Sequence, residues 1–257
     1  MRRLLPITEI EKKMMCMGAV FIEENHVLDD LFEIVGSDIG VDGSANLAPD
    51  IKEQVLEEVA QYFFRLDMNW GPEIKSDCLE ILQEFWQVTH RASALQALES
   101  IRQQGHRTKF QVLKKTLPHD GVIDGHSLEK FKQIFNFDFA DPEKIQLSDE
   151  DYMKLASWIQ RTNKFIAKMG ILGWDMARYV HLIRLCYISE YLTDIEAWEH
   201  IAKAESLVTG KFSTWTEFAQ SFLIGRTFWS GGEDPQLKLI CERLAGHPAS
   251  PWNFWQP

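Results

Sequence analysis

Nowhere in the 257 residues do about 18 apolar residues run together, the length a bilayer-spanning helix needs. Near the start, Glu9, Glu11, Lys12 and Lys13 break up the apolar run that a secretory leader requires. Cysteine is sparse. Cys16, Cys78, Cys186 and Cys241 lie far apart and no two form C-x-x-C, which removes a zinc ribbon or a thioredoxin-type centre. Four scattered thiols fit a reducing compartment, so the expected location is cytoplasmic, with no membrane contact. Period-two alternation is missing along the whole chain, and with it the signature of half-buried strands. Basic stripes are missing too. The strongest basic cluster, "KFQVLKK" at 109–115, offers three lysines, too few for the phosphate neutralisation that nucleic-acid binding demands.

The segment "PHDGVIDGH" (118–126) imitates a calcium loop without completing one. Asp120, Asp124 and Gly125 stand at positions one, five and six, but Val122 and Phe131 fill positions three and twelve, where a hard cation needs oxygen. Asp-Gly steps beside proline are ordinary turn chemistry. The expectation is therefore a turn, with no metal and no cofactor.

What the chain does have is a globular composition: 45% hydrophobic and 25% charged, with nine Trp and sixteen Phe. Aromatic side chains in that number imply a heavily packed interior or an aromatic-rich binding face. The net charge of −11 is unevenly spread. Residues 1–84 carry 7 basic and 18 acidic side chains, whereas residues 85–257 carry 20 of each. An acidic first third repels nucleic acid and anionic membranes and steers a basic partner toward it. Glu23, Glu24, Asp29, Asp30, Glu33, Asp38 and Asp42 are its candidate contacts; the plainer reading is a solvated face that keeps the chain soluble.

Helical periodicity and capping signals define the elements. Residues 8–35 read as a helix pair or one long helix, 36–50 as a loop rich in breakers, and 51–68 as a helix capped by Asp50. Helices follow at 74–89, with Ile74, Cys78, Ile81, Leu82 and Phe85 on its apolar face, and at about 92–104. Ser148 before Asp151, Thr193 before Glu196 and Thr214 before Glu217 are capping-box spacings. They predict helices over 149–168, 194–208 and 214–229, with further helices over 171–189 and 234–245. The fold class expected is all-α: residues 65–257 as one compact multi-helix domain, and residues 1–64 as an acidic helical region packed on it.

Polar residues on apolar faces are the candidate site. In "GILGWDMARYVHLIRLCY" (170–187), Asp175 falls inside the arc of Leu172, Met176, Tyr179, Val180, Leu182, Ile183, Cys186 and Tyr187 on a helical wheel. Arg178 lies just outside that arc. Gly173, Ala177, His181 and Arg184 form the remaining face, where His181 is expected to be exposed. In the helix over 214–229, Trp215, Phe218, Ala219, Phe222 and Trp229 share a stripe with Gly225 and Arg226. An unpaired buried charge is strongly disfavoured, so Asp175 is expected to meet Arg178, Arg226 or both across a helix–helix contact. The structural reading is a buried ion cluster that sets helix register. The alternative is a site in which Asp175 acts as acid or base and the arginines hold an anion, with His106 or Arg107 nearby.

These stretches resemble a bacterial family of unknown function, DUF1266, over about residues 65–255. The resemblance rests on Trp174, Asp175 and Arg178; on Tyr191, Leu192, Thr193, Glu196, Ala197 and Trp198; on Ser213 or Thr214 with Trp215; on Gly225, Arg226 and Trp229; and on Ser250, Pro251 and Trp252. "FW" at 85–86 and "GHRTKF" at 105–110 also fit. It implies one helical domain and no established reaction. Three functions stay open. The first is a protein-binding module of the immunity or antitoxin-like kind, neutralising a basic effector. The second is an enzyme or small-ligand binder using the Asp/Arg cluster. The third is a scaffold or oligomer subunit with tryptophans at a self-interface.

Overall fold

The computed structural model describes residues 6–29, 49–68, 70–139, 147–166 and 169–257. Every regular element among them is a helix: α1 Glu9–Met17, α2 Ala19–Glu23, α3 Pro49–Phe63, α4 Ile74–Trp86, α5 Arg91–Gln103, α6 Gly105–Lys115 and α7 Gly125–Phe139, then α8 Asp149–Ile166, α9 Leu172–Ile188, α10 Asp194–Val208, α11 Trp215–Ser230, α12 Pro235–Gly246 and α13 Pro251–Phe254. The fold is all-α, and none of the described helices is long and apolar enough to cross a membrane.

Helix starts follow the chemistry of their first turns. Thr193 and Glu196 close a reciprocal capping box on α10, and the Ser148 hydroxyl and Asp151 do so on α8. On α11 the expected box is opened by one residue. Thr214 accepts from the Glu217 amide, but the Glu217 carboxylate reaches back to the Ser213 amide. Thr8 with Glu11 forms a further box at α1. Asp124 accepts from the Ser127 amide at 2.8 Å, so the calcium-like segment supplies the first turn of α7. The segment 105–115 forms α6, a helix the periodicity did not single out. The region expected as a helix pair or one long helix over 8–35 breaks at Gly18, between α1 and α2; its part from Asp30 onward lies outside the described residues.

The centre of the fold is α9. It packs against α1, α2, α4, α5, α6, α10 and α11, and most of its seventeen residues are buried. The face expected to be polar is therefore covered. His181 stacks on Phe21 at 4.5 Å between ring centroids, and Arg184 is wholly buried. Both placements correct the wheel, which assumes one solvated side. Here α1 and α2 cover that side, burying Met14, Met15, Cys16, Val20 and Ile22. Arg184 donates to the Phe63 carbonyl at 2.5 Å and the Gly18 carbonyl at 3.5 Å, stitching α1 and α3 onto α9. Burial pushes its pKa down to about 9. Helices α1 and α13 also meet. The Trp252 indole donates to the Cys16 carbonyl at 2.9 Å and stacks on Trp215 at 5.1 Å.

Helices α9 and α11 cross at close range. The Ser221 hydroxyl accepts from the Gly173 amide at 2.8 Å and donates to the Gly170 carbonyl at 2.7 Å, satisfying an otherwise orphaned first-turn donor of α9. Facing it, Gly225 has no room for a side chain, since a Cβ there would lie 2.2 Å from Trp174 Cβ. Not all of the expected stripe is internal. Trp229 is 48% exposed, its ring meeting Trp174 at 5.8 Å on one side, and Phe85 on α4 is 69% exposed; each sits near the end of its helix.

Gly225→Ala is expected to destabilise the fold by about 2 kcal/mol, overpacking outweighing the helix-propensity gain of about 1 kcal/mol. Gly246→Ala, where a Cβ meets nothing within 4 Å, is expected to be neutral or stabilising. Urea midpoints compare the two, and equal shifts would contradict the close crossing.

Candidate functional site

Asp175 has no exposed surface, yet its partner is neither Arg178 nor Arg226. Its Oδ1 accepts from the His106 amide at 2.9 Å, and its Oδ2 accepts from the Arg107 amide at 3.0 Å and from Arg107 Nη1 at 3.0 Å. The carboxylate thus fills the N-terminal end of α6, where free amides and the helix dipole favour negative charge. Gly105 makes this possible. Its φ is +58°, and a Cβ there would lie 2.1 Å from Asp175 Oδ2. The Arg107 guanidinium extends the tie by donating to the Ile101 carbonyl at 2.7 Å and the Arg102 carbonyl at 2.6 Å, near the end of α5. Burial pushes the Asp175 carboxyl above its ordinary range, and the two amides and Arg107 oppose that push.

The expected cluster therefore divides into three. Arg226 pairs with Asp234 at 3.2 Å and lies 5.1 Å from the Trp229 ring centre. Asp234 also caps α12, so this pair ties the end of α11 to the next helix. Arg178 takes a third course. Its guanidinium lies 4.6 Å from the Trp86 ring centre and 5.1 Å from that of Trp174, and no carboxylate among the described residues pairs with it. Burial pushes its pKa down to about 10, with Asp175 opposing.

His106 completes the arrangement. The Trp174 indole donates to its Nδ1 at 3.0 Å, which leaves the ring proton on Nε2. Arg178 Nη1 lies 3.2 Å from Nδ1 and 3.3 Å from Nε2. Burial and the Arg178 charge, with Lys109 behind them, hold the His106 pKa down to about 3, so the ring is neutral at physiological pH.

Arg178 and His106 line a cavity of about 450 Å³ together with Trp86, Gln87 and, from α5, Gln96 and Ser100. Phe85 stands at its edge. Asp175 does not line it; the carboxylate lies sealed behind the wall. Three separate stretches of the resemblance, 85–86, 105–107 and 174–178, thus converge on this one place. A larger cavity of about 600 Å³ between Trp158, Trp229 and Leu155 lacks Arg178, His106 and Asp175. Its Lys154 is already paired with Glu150 and Asp151.

The acidic first third is partly consumed internally. Glu23 is buried, accepts from the Leu28 amide at 2.9 Å and pairs with Arg243 at 2.9 Å, which removes it from the candidate partner-binding surface. Asp29 shares the same guanidinium at 2.8 Å. Glu24 is exposed. Asp30, Glu33, Asp38 and Asp42 lie outside the described residues.

The family model described as "Protein of unknown function (DUF1266)" matches residues 81–256. An uncharacterised protein of Escherichia coli (strain K12), YbeR, is 25% identical over 97 residues, which are 38% of this chain and 41% of that protein. The match spans about two fifths of that relative's length. No solved structure matches.

Two outcomes follow from the geometry. Asp175→Asn keeps the shape but removes the charge facing Arg107, and is expected to cost about 3 kcal/mol in urea unfolding; a neutral result would contradict the tie. Separately, His106 and His181 are both held down to about 3 by burial. The unfolded chain protonates each near pH 6.5, whereas the folded chain does not. Stability present above about pH 6.5 is therefore lost as pH falls toward about 3, by at most about 1.4 kcal/mol per pH unit for each histidine. A His106→Gln/His181→Gln double variant is expected to show a shallower fall in urea midpoint over that range; an unchanged slope would refute the assignment.

Proposed function

The chain belongs to the DUF1266 family of unknown function, and on that premise we propose that it is a small-ligand-binding protein that holds an anion on Arg178. One observation carries this reading: a largely buried guanidinium, stacked against Trp86 and Trp174, lines a cavity with no carboxylate among the described residues paired to it. A desolvated cation is costly unless an anion compensates it. Other arginines of this chain solve that problem within the protein, Arg226 with Asp234, Arg107 with Asp175, and Arg184 through the Phe63 and Gly18 carbonyls. Arg178 leaves it open toward a space of ligand size.

The reading is one of binding rather than turnover. The carboxylate best suited to general acid–base work, Asp175, is sealed away and saturated by three donors. His106 has its acceptor nitrogen engaged by the Trp174 indole. We place the protein in a reducing, cytoplasmic setting, supported by four cysteines that are all free and buried.

Thermal unfolding in the presence of small anions tests the proposal. Saturation at about a hundredfold over Kd adds about 2.7 kcal/mol, which raises Tm by roughly 5–10 °C for a chain of this size. The expected result is such a rise with the wild type, a smaller one with Arg178→Lys and none with Arg178→Gln. A rise that persists undiminished in Arg178→Gln would refute Arg178 as the anchor.

A further inference from the structure

Resting on that reading, we infer that the anion is a hydroxylated monocarboxylate of the sugar-acid class, its carboxylate on Arg178 and its hydroxyls along α5. Charge supplies the first constraint. Among the described residues Arg178 is the one formal cation lining the cavity, His106 being neutral, and no acidic side chain lines it. A monoanion matches that charge, and a doubly charged phosphate exceeds it. The amides that would cradle phosphate at a helix N-terminus are not available here, because Asp175 already occupies the start of α6.

Zwitterions fail on the opposite side. An ammonium group needs a carboxylate or a free aromatic face. Among the described residues the cavity has no carboxylate, the Trp86 ring is already engaged by the Arg178 guanidinium, and the Phe85 ring stands at the solvent-exposed edge, where a cation–π attraction is weak.

Neutral polar groups supply the second constraint. Gln96, Ser100 and Gln104 recur every four residues from α5 into its C-terminal cap and share the cavity, with Gln87 at its rim. Their side chains make no hydrogen bond to another described residue, unlike Ser93, whose hydroxyl is spent on the His90 cap. Carboxamides and a hydroxyl offer both donors and acceptors, the complement of a row of ligand hydroxyls. Phe85, 69% exposed at the edge, presents an apolar face for the C–H side of a sugar ring. A volume of about 450 Å³ accommodates one such ring.

Isothermal titration of the full chain with D-glucuronate, acetate, glucose and inorganic phosphate tests this. Glucuronate is expected to bind at least about tenfold more tightly than acetate through its hydroxyl contacts, a difference of about 1.4 kcal/mol, with glucose and phosphate silent. Gln96→Leu/Gln104→Leu, two exposed positions whose replacement leaves the core intact, is expected to weaken glucuronate by about tenfold and leave acetate unchanged. Arg178→Gln is expected to abolish both. Equal binding of acetate and glucuronate, or phosphate binding tighter than glucuronate, overturns the sugar-acid assignment and leaves the anion site standing. Silence toward every anion overturns the anion site as well.

Discussion

A carboxylate with no exposed surface has to be satisfied wholly by the groups around it, and Asp175 satisfies that requirement at the N-terminus of α6. Two amides and one guanidinium converge on its two oxygens. This fixes α6 against α9 without any apolar contact having to be perfect, because misplacing the helix would leave a buried charge unpaired. The same bonds set the direction of His106, the first residue to donate an amide. His106 then receives the Trp174 indole, and Trp174 in turn supports Arg178. The cavity wall is thus a consequence of the capping interaction behind it.

Helix α9 shows how differently one helix can accommodate its charges. Asp175 uses backbone donors, Arg178 uses aromatic faces, and Arg184 uses the carbonyls of Phe63 and Gly18. Only the first forms an ion pair. Each solution recruits a different neighbour, so the polar groups act as addresses for α6, for α4 and for the N-terminal helices. Apolar packing alone would be tolerant about which helix lies where, since volume and pattern are easily conserved in other arrangements. The close crossing at Gly225 adds a steric address for α11.

Much of this was legible in the sequence, and the misses have physical causes. Capping spacings located α8 and α10, and the wheel placed Asp175 in the core. Its partner was misassigned because charged side chains on apolar stripes pointed to Arg178 and Arg226, whereas the real donors lie 68 and 69 residues away in a segment with few apolar residues. Backbone amides carry no side-chain signature; the readable hint was Gly105 followed by His106 and Arg107 just after the end of α5. His181 and Arg184 were placed on a solvated face because periodicity cannot show that a second layer, built from residues 9–23, covers it. Phe85 and Trp229 read as core because an apolar side chain near a helix end keeps its register whether or not packing covers it. The acidic first third looked like a single surface, yet Glu23 turns inward to Arg243, and the exposed Asp29 pairs with the same guanidinium.

The two aromatic faces around Arg178 bear directly on binding. A flexible arginine on an open surface loses rotamer freedom when it captures an anion, and that loss offsets much of the electrostatic gain. Here the fold has already ordered the side chain: Trp86 and Trp174 hold the plane of the guanidinium, and the neutral ring of His106 lies against one nitrogen. Neutrality of that ring matters, because an imidazolium in the same position would repel the guanidinium from about 3 Å. The burial that depresses the His106 pKa is therefore what allows a single cation to stand ready beside the cavity, and the sealed Asp175, bonded to His106 and Arg107, favours its charge without pairing with it.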